Sequence, residues 1–213
     1  MGIIVGRKPI VLNGLVFCTD DRDKQYYPGS GTATTDLVGG LNGTITGTIS
    51  QDGTGIVMNG DRIDYPSTSN INFGTGEFTL SVWFKYTGSD FSTYPYIIDT
   101  RGSGGTFVIY PLPTNKIQIY GDQDTDSTIS VNNWYNLIYT RIGNTAYIYV
   151  NGSADGSNTN TTTYGSNPIR IGARNNDAQT WTGYIPHLAF YNRGFTSADV
   201  LKTYNAQKER FGL

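Results

Sequence analysis

The sequence predicts an all-β protein: an antiparallel sandwich of two sheets with one short helix near the C-terminal end. Three observations carry that prediction. Charged residues make up only 15% of the chain, while Gly (27) and Tyr (16) are abundant. β-Branched and aromatic side chains suit a pleated surface, and Gly and Asn supply the positive φ of tight turns, whereas long helices draw on Glu, Lys, Ala and Leu. From Phe78 onward, short apolar runs alternate with turn clusters at a regular pace, and no helical stretch falls between them. Finally, 213 residues suit one large all-β domain and leave little room for two.

Taken in chain order, residues 1–12 read as an N-terminal arm and residues 13–213 as the domain. The apolar stretches of the arm are shorter than the hydrophobic core of a signal peptide, and Arg7, Lys8 and Pro9 interrupt them. Synthesis in a cytoplasm without a cleaved export signal is therefore expected. No window approaches the length of a membrane span, so no membrane insertion is expected. Cys18, the single cysteine, closes an apolar run and reads as a small buried hydrophobe. Residues 19–24 read as a solvated charged turn, residues 26–31 as a loop, and residues 41–49 alternate as a strand.

Over residues 78–86, Phe78, Leu80, Val82 and Phe84 share one face of a strand and Trp83 falls on the other, so both faces are expected to be covered. Strands follow at residues 94–101, 106–112 and 116–120. Residues 134–142 and 145–150 form a hairpin across Gly143-Asn144, a favourable turn pair. The polar stretch 158–163 reads as an exposed loop or edge strand. Residues 167–173 and 183–191 are the last strands. Thr196 is then an N-cap with Asp199 three residues on, a variant of the capping box, and Val200, Leu201 and Tyr204 give the helix an apolar stripe for packing on a sheet. The formal net charge of −2, without a block of like charges, gives nucleic acid no electrostatic footing.

Several of these runs resemble one family. Phe78-Thr-Leu-Ser-Val-Trp-Phe-Lys is similar to a characteristic strand of laminin-G-like domains. Trp134-Tyr-Asn-Leu-Ile-Tyr-Thr and Ala146-Tyr-Ile-Tyr-Val-Asn-Gly resemble its following hairpin. Ile169-Arg-Ile-Gly, Trp181-Thr-Gly-Tyr-Ile and Tyr191-Asn-Arg-Gly-Phe-Thr-Ser complete the set, in the family's order, over about residues 54–206. The resemblance implies a concanavalin A-like jelly roll. Nearer the start, Asn13-Gly-Leu-Val-Phe, Tyr27-Pro-Gly-Ser-Gly, Thr35-Asp-Leu and Leu41-Asn-Gly-Thr-Ile resemble laminin-G-like proteins of tailed bacteriophages. That narrower resemblance implies a non-enzymatic virion structural protein, a capsid decoration or a tail or fibre appendage. It would be located in the virion, partnered by other virion proteins as a homo-oligomer or a capsid or tail subunit, with a weak glycan-binding role at a cell surface. A free carbohydrate-binding lectin is the alternative, and a glycoside hydrolase is the third reading.

The residues themselves speak against hydrolysis. A retaining glycosidase needs two carboxylates about 5–5.5 Å apart, yet the only glutamates, Glu77 and Glu209, flank a strand and a helix. His187 has no Ser or Cys nucleophile near it in sequence. No cofactor is expected apart from calcium, a hard cation that wants several oxygen ligands. The candidate metal set is Asp122, Asp124 and Asp126; Asp20, Asp21 and Asp23 form a second acidic run. The family resemblance adds Asp36 and Asn42, which match part of a calcium-loop pattern. Sugar recognition needs aromatic platforms beside amides or carboxylates. The candidate ligand-binding set is Trp181, Asn175, Asp177 and Tyr94, with Tyr96, Tyr110, Tyr120, Asn176 and Gln179 in the same neighbourhoods.

Overall fold

The computed structural model describes residues 10–102 and 104–213. The expected N-terminal arm therefore lies outside the described residues except for positions 10–12. The strands follow in chain order as β1 (Leu15–Asp20), β2 (Ala33–Thr35), β3 (Asn42–Thr46), β4 (Ser50–Gln51), β5 (Ile56–Asn59), β6 (Arg62–Thr68), β7 (Phe78–Tyr86) and β8 (Ile98–Asp99). Next come β9 (Val108–Pro111), β10 (Ile117–Ile119), β11 (Gln123–Asp124), β12 (Tyr135–Ile142), β13 (Thr145–Val150), β14 (Ser153–Thr159), β15 (Asn167–Ile171) and β16 (Thr182–Tyr191), and then helix α1 (Ser197–Gln207).

They form two antiparallel sheets packed as a sandwich. The first runs β14-β13-β12-β7-β16-β5-β4, with β1 pairing the second half of β16 beyond β5; the second runs β11-β10-β9-β8-β15-β6-β3-β2. Between them lies one apolar core. The first sheet supplies Leu80, Val82, Phe84, Leu137, Ile148 and Phe190, and the second answers with Ile63, Ile98, Ile109, Ile117, Ile169 and Ile171. The period-two side-chain alternation of a strand puts these residues on inward faces and leaves their neighbours pointing outward.

The outward face of the first sheet is also covered. Trp83 is fully buried there, stacked on Tyr204 of α1 at 5.7 Å and on Phe211, just beyond the helix, at 4.4 Å. The expected cap is present: Thr196 Oγ1 accepts the Asp199 N–H at 3.2 Å, and the Asp199 carboxylate accepts the Thr196 N–H at 3.1 Å. The apolar stripe differs from expectation. Val200 and Thr203 are buried and Tyr204 stacks, but Leu201 is 49% exposed, because the one-residue step from Val200, about 100° around the helix, carries it off the docked face.

Three further expectations need correction. Residues 94–101 pair as a strand only at Ile98–Asp99. Tyr94 adopts a left-handed φ of 53°, and Pro95 has no N–H to donate to a ladder, so the run bends before β8. The charged turn at residues 19–24 is not wholly solvated: Asp21 is 1% exposed, accepts the Ile56 N–H at 2.8 Å and pairs with Arg210. The third is Trp181, which lies in the core.

Arg141, on β12, is buried without a carboxylate among its hydrogen-bond partners. Its guanidinium donates to the carbonyls of Gly74, Gly76 and Thr162 and to Asn160 Oδ1, and it lies over the rings of Phe78 and Tyr164. Those bonds tie two loops to one end of the sandwich. A buried cation needs this degree of satisfaction to be tolerated.

Candidate functional site

The outer face of the second sheet, around β8, β9 and β10, gathers most of the expected ligand-binding residues. The register sets it up. Asp99 pairs with Val108 on one side and Arg170 on the other, Arg170 pairs with Asp64, and Tyr110 pairs with Gln118. These side chains all point away from the core, in two neighbouring rows.

Tyr96 and Tyr110 stack with ring centroids 4.7 Å apart and planes within 9°. Tyr94 meets Tyr110 edge-on at 6.2 Å and is 39% exposed. Arg101 joins the group from the far end of β8. Its guanidinium lies 5.4 Å from the centroids of both Tyr96 and Tyr120, and it donates to Tyr96 Oη at 3.0 Å. Tyr120 is 55% exposed, so a ring face and a cation lie side by side at the surface. Tyr110 donates its hydroxyl to Gln118.

Asp99 anchors the arrangement. It is buried, accepts the Arg101 and Asn175 backbone N–H groups at 2.9 Å each, and pairs with the Arg101 guanidinium at 3.2 Å. Arg101 Nη1 also reaches Asn175 Oδ1 at 3.4 Å. The loop carrying Asn175 leaves β15 through Gly172, whose φ is +86° and where a Cβ would lie 2.9 Å from Met58 Sδ; only glycine meets both demands without strain. Within that loop Asp177 (φ 64°) and Gln179 (φ 54°) are also left-handed, and Gln179 accepts the Tyr96 N–H through its carbonyl at 2.9 Å. With Tyr94, three non-glycine residues in this conformation border one face. Such outliers cluster where the surrounding structure holds a surface in a fixed shape.

Beside the tyrosines runs a charged patch. Arg170 bridges Asp64 (2.6 Å) and Asp177, and Arg62 reaches Asp64 at 2.8 Å and Asp177 at 3.4 Å. Asp64 and Asp177 are thus both held by arginines.

Of the four residues expected from sequence, Tyr94 and Asn175 meet at the aromatic group, and Asp177 lies on the adjoining charged patch. Trp181 does not belong. It is 0% exposed and packs inside the sandwich against Phe84 (5.8 Å) and Tyr86 (4.9 Å), because it immediately precedes β16 with its side chain on the inward side. Arg101 was missed, since a single arginine after a strand has no periodic signature.

The expected metal set is also corrected. Asp122 accepts from Tyr139 Oη at 2.6 Å and from Asn158, Asp124 sits exposed on β11, and the Asp126 backbone turns to Asp155. Among the described residues no group of three or more His, Cys, Asp or Glu side chains is placed to hold a metal. Asp36 does not fit a calcium ion either. It is buried, and its carboxylate accepts the N–H groups of Cys18 (2.7 Å), Val38 (3.2 Å) and Gly39 (2.6 Å).

On the opposite side of the molecule, Cys18 Sγ lies 3.8 Å from His187 Nε2. Burial, reinforced by Asp20, Asp36 and Asp23, pushes the thiol up to about 12. Burial pushes the imidazole down to about 4, with Asp20 opposing and Arg210 adding to the shift. Both groups stay neutral near pH 7, so the pair is not an activated thiolate–imidazolium nucleophile.

Comparison with known proteins places the fold. The model of a laminin-G-type family, described as the concanavalin A-like lectin/glucanases superfamily, matches residues 59–201. Among solved structures, Trypanosoma rangeli sialidase in complex with 2,3-difluorosialic acid is similar with a TM-score of 0.70 at 16% identity, over 92% of this chain and 34% of that one. The binding domain of Paraclostridial mosquitocidal protein 1 is similar with a TM-score of 0.66 at 18% identity, over 91% of this chain and 52% of that one. The chain therefore spans about a third of the sialidase and half of the toxin fragment. No curated protein sequence matches it. These neighbours go against the expectation of a virion structural protein, since structures similar to the chain include sialidases and a toxin binding domain.

Proposed function

Because the chain belongs to the concanavalin A-like lectin/glucanases superfamily, we propose that it is a carbohydrate-binding module without catalytic activity of its own, and that sugar binds on the outer face of the second sheet around Arg101. The observation that carries this reading is the juxtaposition of exposed ring and hydrogen-bonding groups: Tyr120 lies against Arg101 and Tyr94 against Tyr110, with Asn175 and Gln118 within the same surface. An aromatic face takes the apolar side of a pyranose, and amide and guanidinium groups take its hydroxyls. The absence of catalysis is supported by the acids themselves. Asp99 is buried under Arg101, Asp64 and Asp177 are bridged by Arg170 and Arg62, and Glu77 accepts the Gly143 and Gly194 N–H groups far from this face. None is left as a proton donor opposite a second carboxylate, the arrangement glycoside hydrolysis requires.

Screening the labelled full chain on a glycan array tests the proposal. Saturable binding to a defined set of glycans is expected, reduced about tenfold or more by Tyr120→Ala or Arg101→Ala, a loss of roughly 1.4 kcal/mol. A blank array, or release of cleaved sugar from a bound glycan, would count against it.

A further inference from the structure

Arg101 stands between two rings, with its guanidinium carbon 5.4 Å from the centroids of Tyr96 and Tyr120. Its Nη1 reaches Asp99 Oδ2 at 3.2 Å and Asn175 Oδ1 at 3.4 Å, and its Nη2 donates to Tyr96 Oη at 3.0 Å. Three of the five N–H groups of a guanidinium are thus engaged. The Nε–H and one Nη2–H have no partner among the described residues. Neighbouring guanidinium donors suit the two oxygens of a carboxylate, and they suit two adjacent sugar hydroxyls as well. Donor geometry alone therefore admits both an acidic and an uncharged sugar, and charge has to separate them.

Asp99 matches the charge of Arg101 from the buried side. The arginine side chain is 22% exposed, whereas the carboxylate behind it is 0% exposed. A charge shut away from water is little screened, so an approaching anion meets the field of Asp99 together with that of Arg101. It gives up its hydration, a large cost, for a cation that is already compensated. A hydroxyl gives up far less and still accepts a charge-assisted hydrogen bond. The charged patch beside the tyrosines follows the same pattern, since Asp64 and Asp177 are bridged by Arg170 and Arg62. Further out, Arg174, past the end of β15, donates to Gln179 Oε1 at 2.8 Å, and Asp124, exposed on β11 opposite Gln118, carries the opposite sign.

We propose, resting on the reading of this face as the sugar site, that it selects uncharged glycans over acidic ones, and that Asp99 sets this choice by compensating Arg101. Asp99 is a positioning residue: it acts on the ligand through Arg101 and through the Asn175 N–H that it accepts at 2.9 Å. The test is a glycan array of matched pairs, each an uncharged saccharide and its counterpart with one residue oxidised to a uronate, probed with the full chain. The unsubstituted chain binds the uncharged member of its best pairs about tenfold more tightly. Asp99→Asn preserves side-chain size and leaves Arg101 uncompensated, so the acidic member gains affinity, the ratio falls to about one or below, and the gain fades at high salt. A merely structural Asp99 would weaken both members alike and leave the ratio in place. Preference of the unsubstituted chain for the acidic members overturns the proposal whether or not Asp99→Asn folds, and so does an unchanged ratio in a folded Asp99→Asn; in both cases the sugar site itself stands. An array blank for both members of every pair removes the sugar site and the proposal with it.

Discussion

Trp181 sits against Phe84 and Tyr86 in the sandwich, and its replacement tests packing rather than recognition. Trp181→Ala is expected to destabilise the fold by about 3–5 kcal/mol in chemical denaturation; a fully stable variant that merely loses glycan binding would contradict its placement. In sequence, an aromatic beside amides in a loop has the composition of a sugar platform. Only the inward orientation at the entry to β16 separates the two roles, and that is a tertiary fact. Arg101 is the reverse case, illegible alone because its partners Tyr96, Tyr120, Asp99 and Asn175 come from three separate segments. His187 and Asp21 are a second residue-level test, with opposed signs. The folded state lowers the imidazole to about 4, so His187 binds its proton better when unfolded, and its contribution to stability is lost as pH falls from about 6.5. Burial raises Asp21 to about 6 in spite of Arg210, so it binds its proton better when folded, and its contribution is lost as pH rises from about 4 to 6. The slopes oppose each other between about pH 4 and 6. Removing one with His187→Gln should make stability fall with rising pH, relative to the unsubstituted protein, by up to about 3 kcal/mol across that window, at about 1.4 kcal/mol for each pH unit. Parallel pH profiles for the two proteins would rule this out.

Among the elements, β7 was readable to its ends, Phe78 to Tyr86, because apolar alternation and flanking turns agree there. Residues 94–101 were not, because the pattern of apolar residues is indifferent to the left-handed turn at Tyr94 and the missing donor at Pro95. The helix was legible from its cap and less so from its stripe. Thr196 and Asp199 act within four residues, a purely local arrangement, whereas the partner of Tyr204 is Trp83, more than a hundred residues away. Since α1 is held by both its cap and its aromatic stack, Thr196→Ala is expected to cost about 1 kcal/mol and to lower the melting temperature by about 2–4 °C without loss of the fold. Calorimetry reads both; an unchanged melting temperature would show that the capping box contributes nothing.

For the molecule as a whole, the two-sheet sandwich was legible because strand spacing, turn residues and the scarcity of helix formers all favour it, and the ordered motifs from Phe78 to Ser197 agree. The candidate face was legible only in part. Tyr94, Asn175 and Asp177 fall together because β8 and β15 are neighbours in the second sheet, a pairing between segments some seventy residues apart that no local pattern encodes. The two sides of the sandwich then divide the work: one sheet turns tyrosines and arginines to solvent, and the other is closed by α1. That division makes one measurement decisive. In a two-dimensional NMR titration with the best glycan found on the array, the account predicts shift changes confined to the surface around Tyr94, Arg101, Tyr120 and Asn175, with the resonances of Trp83 and α1 unmoved. Shifts centred on the helix side, with the tyrosine–arginine face silent, would contradict it.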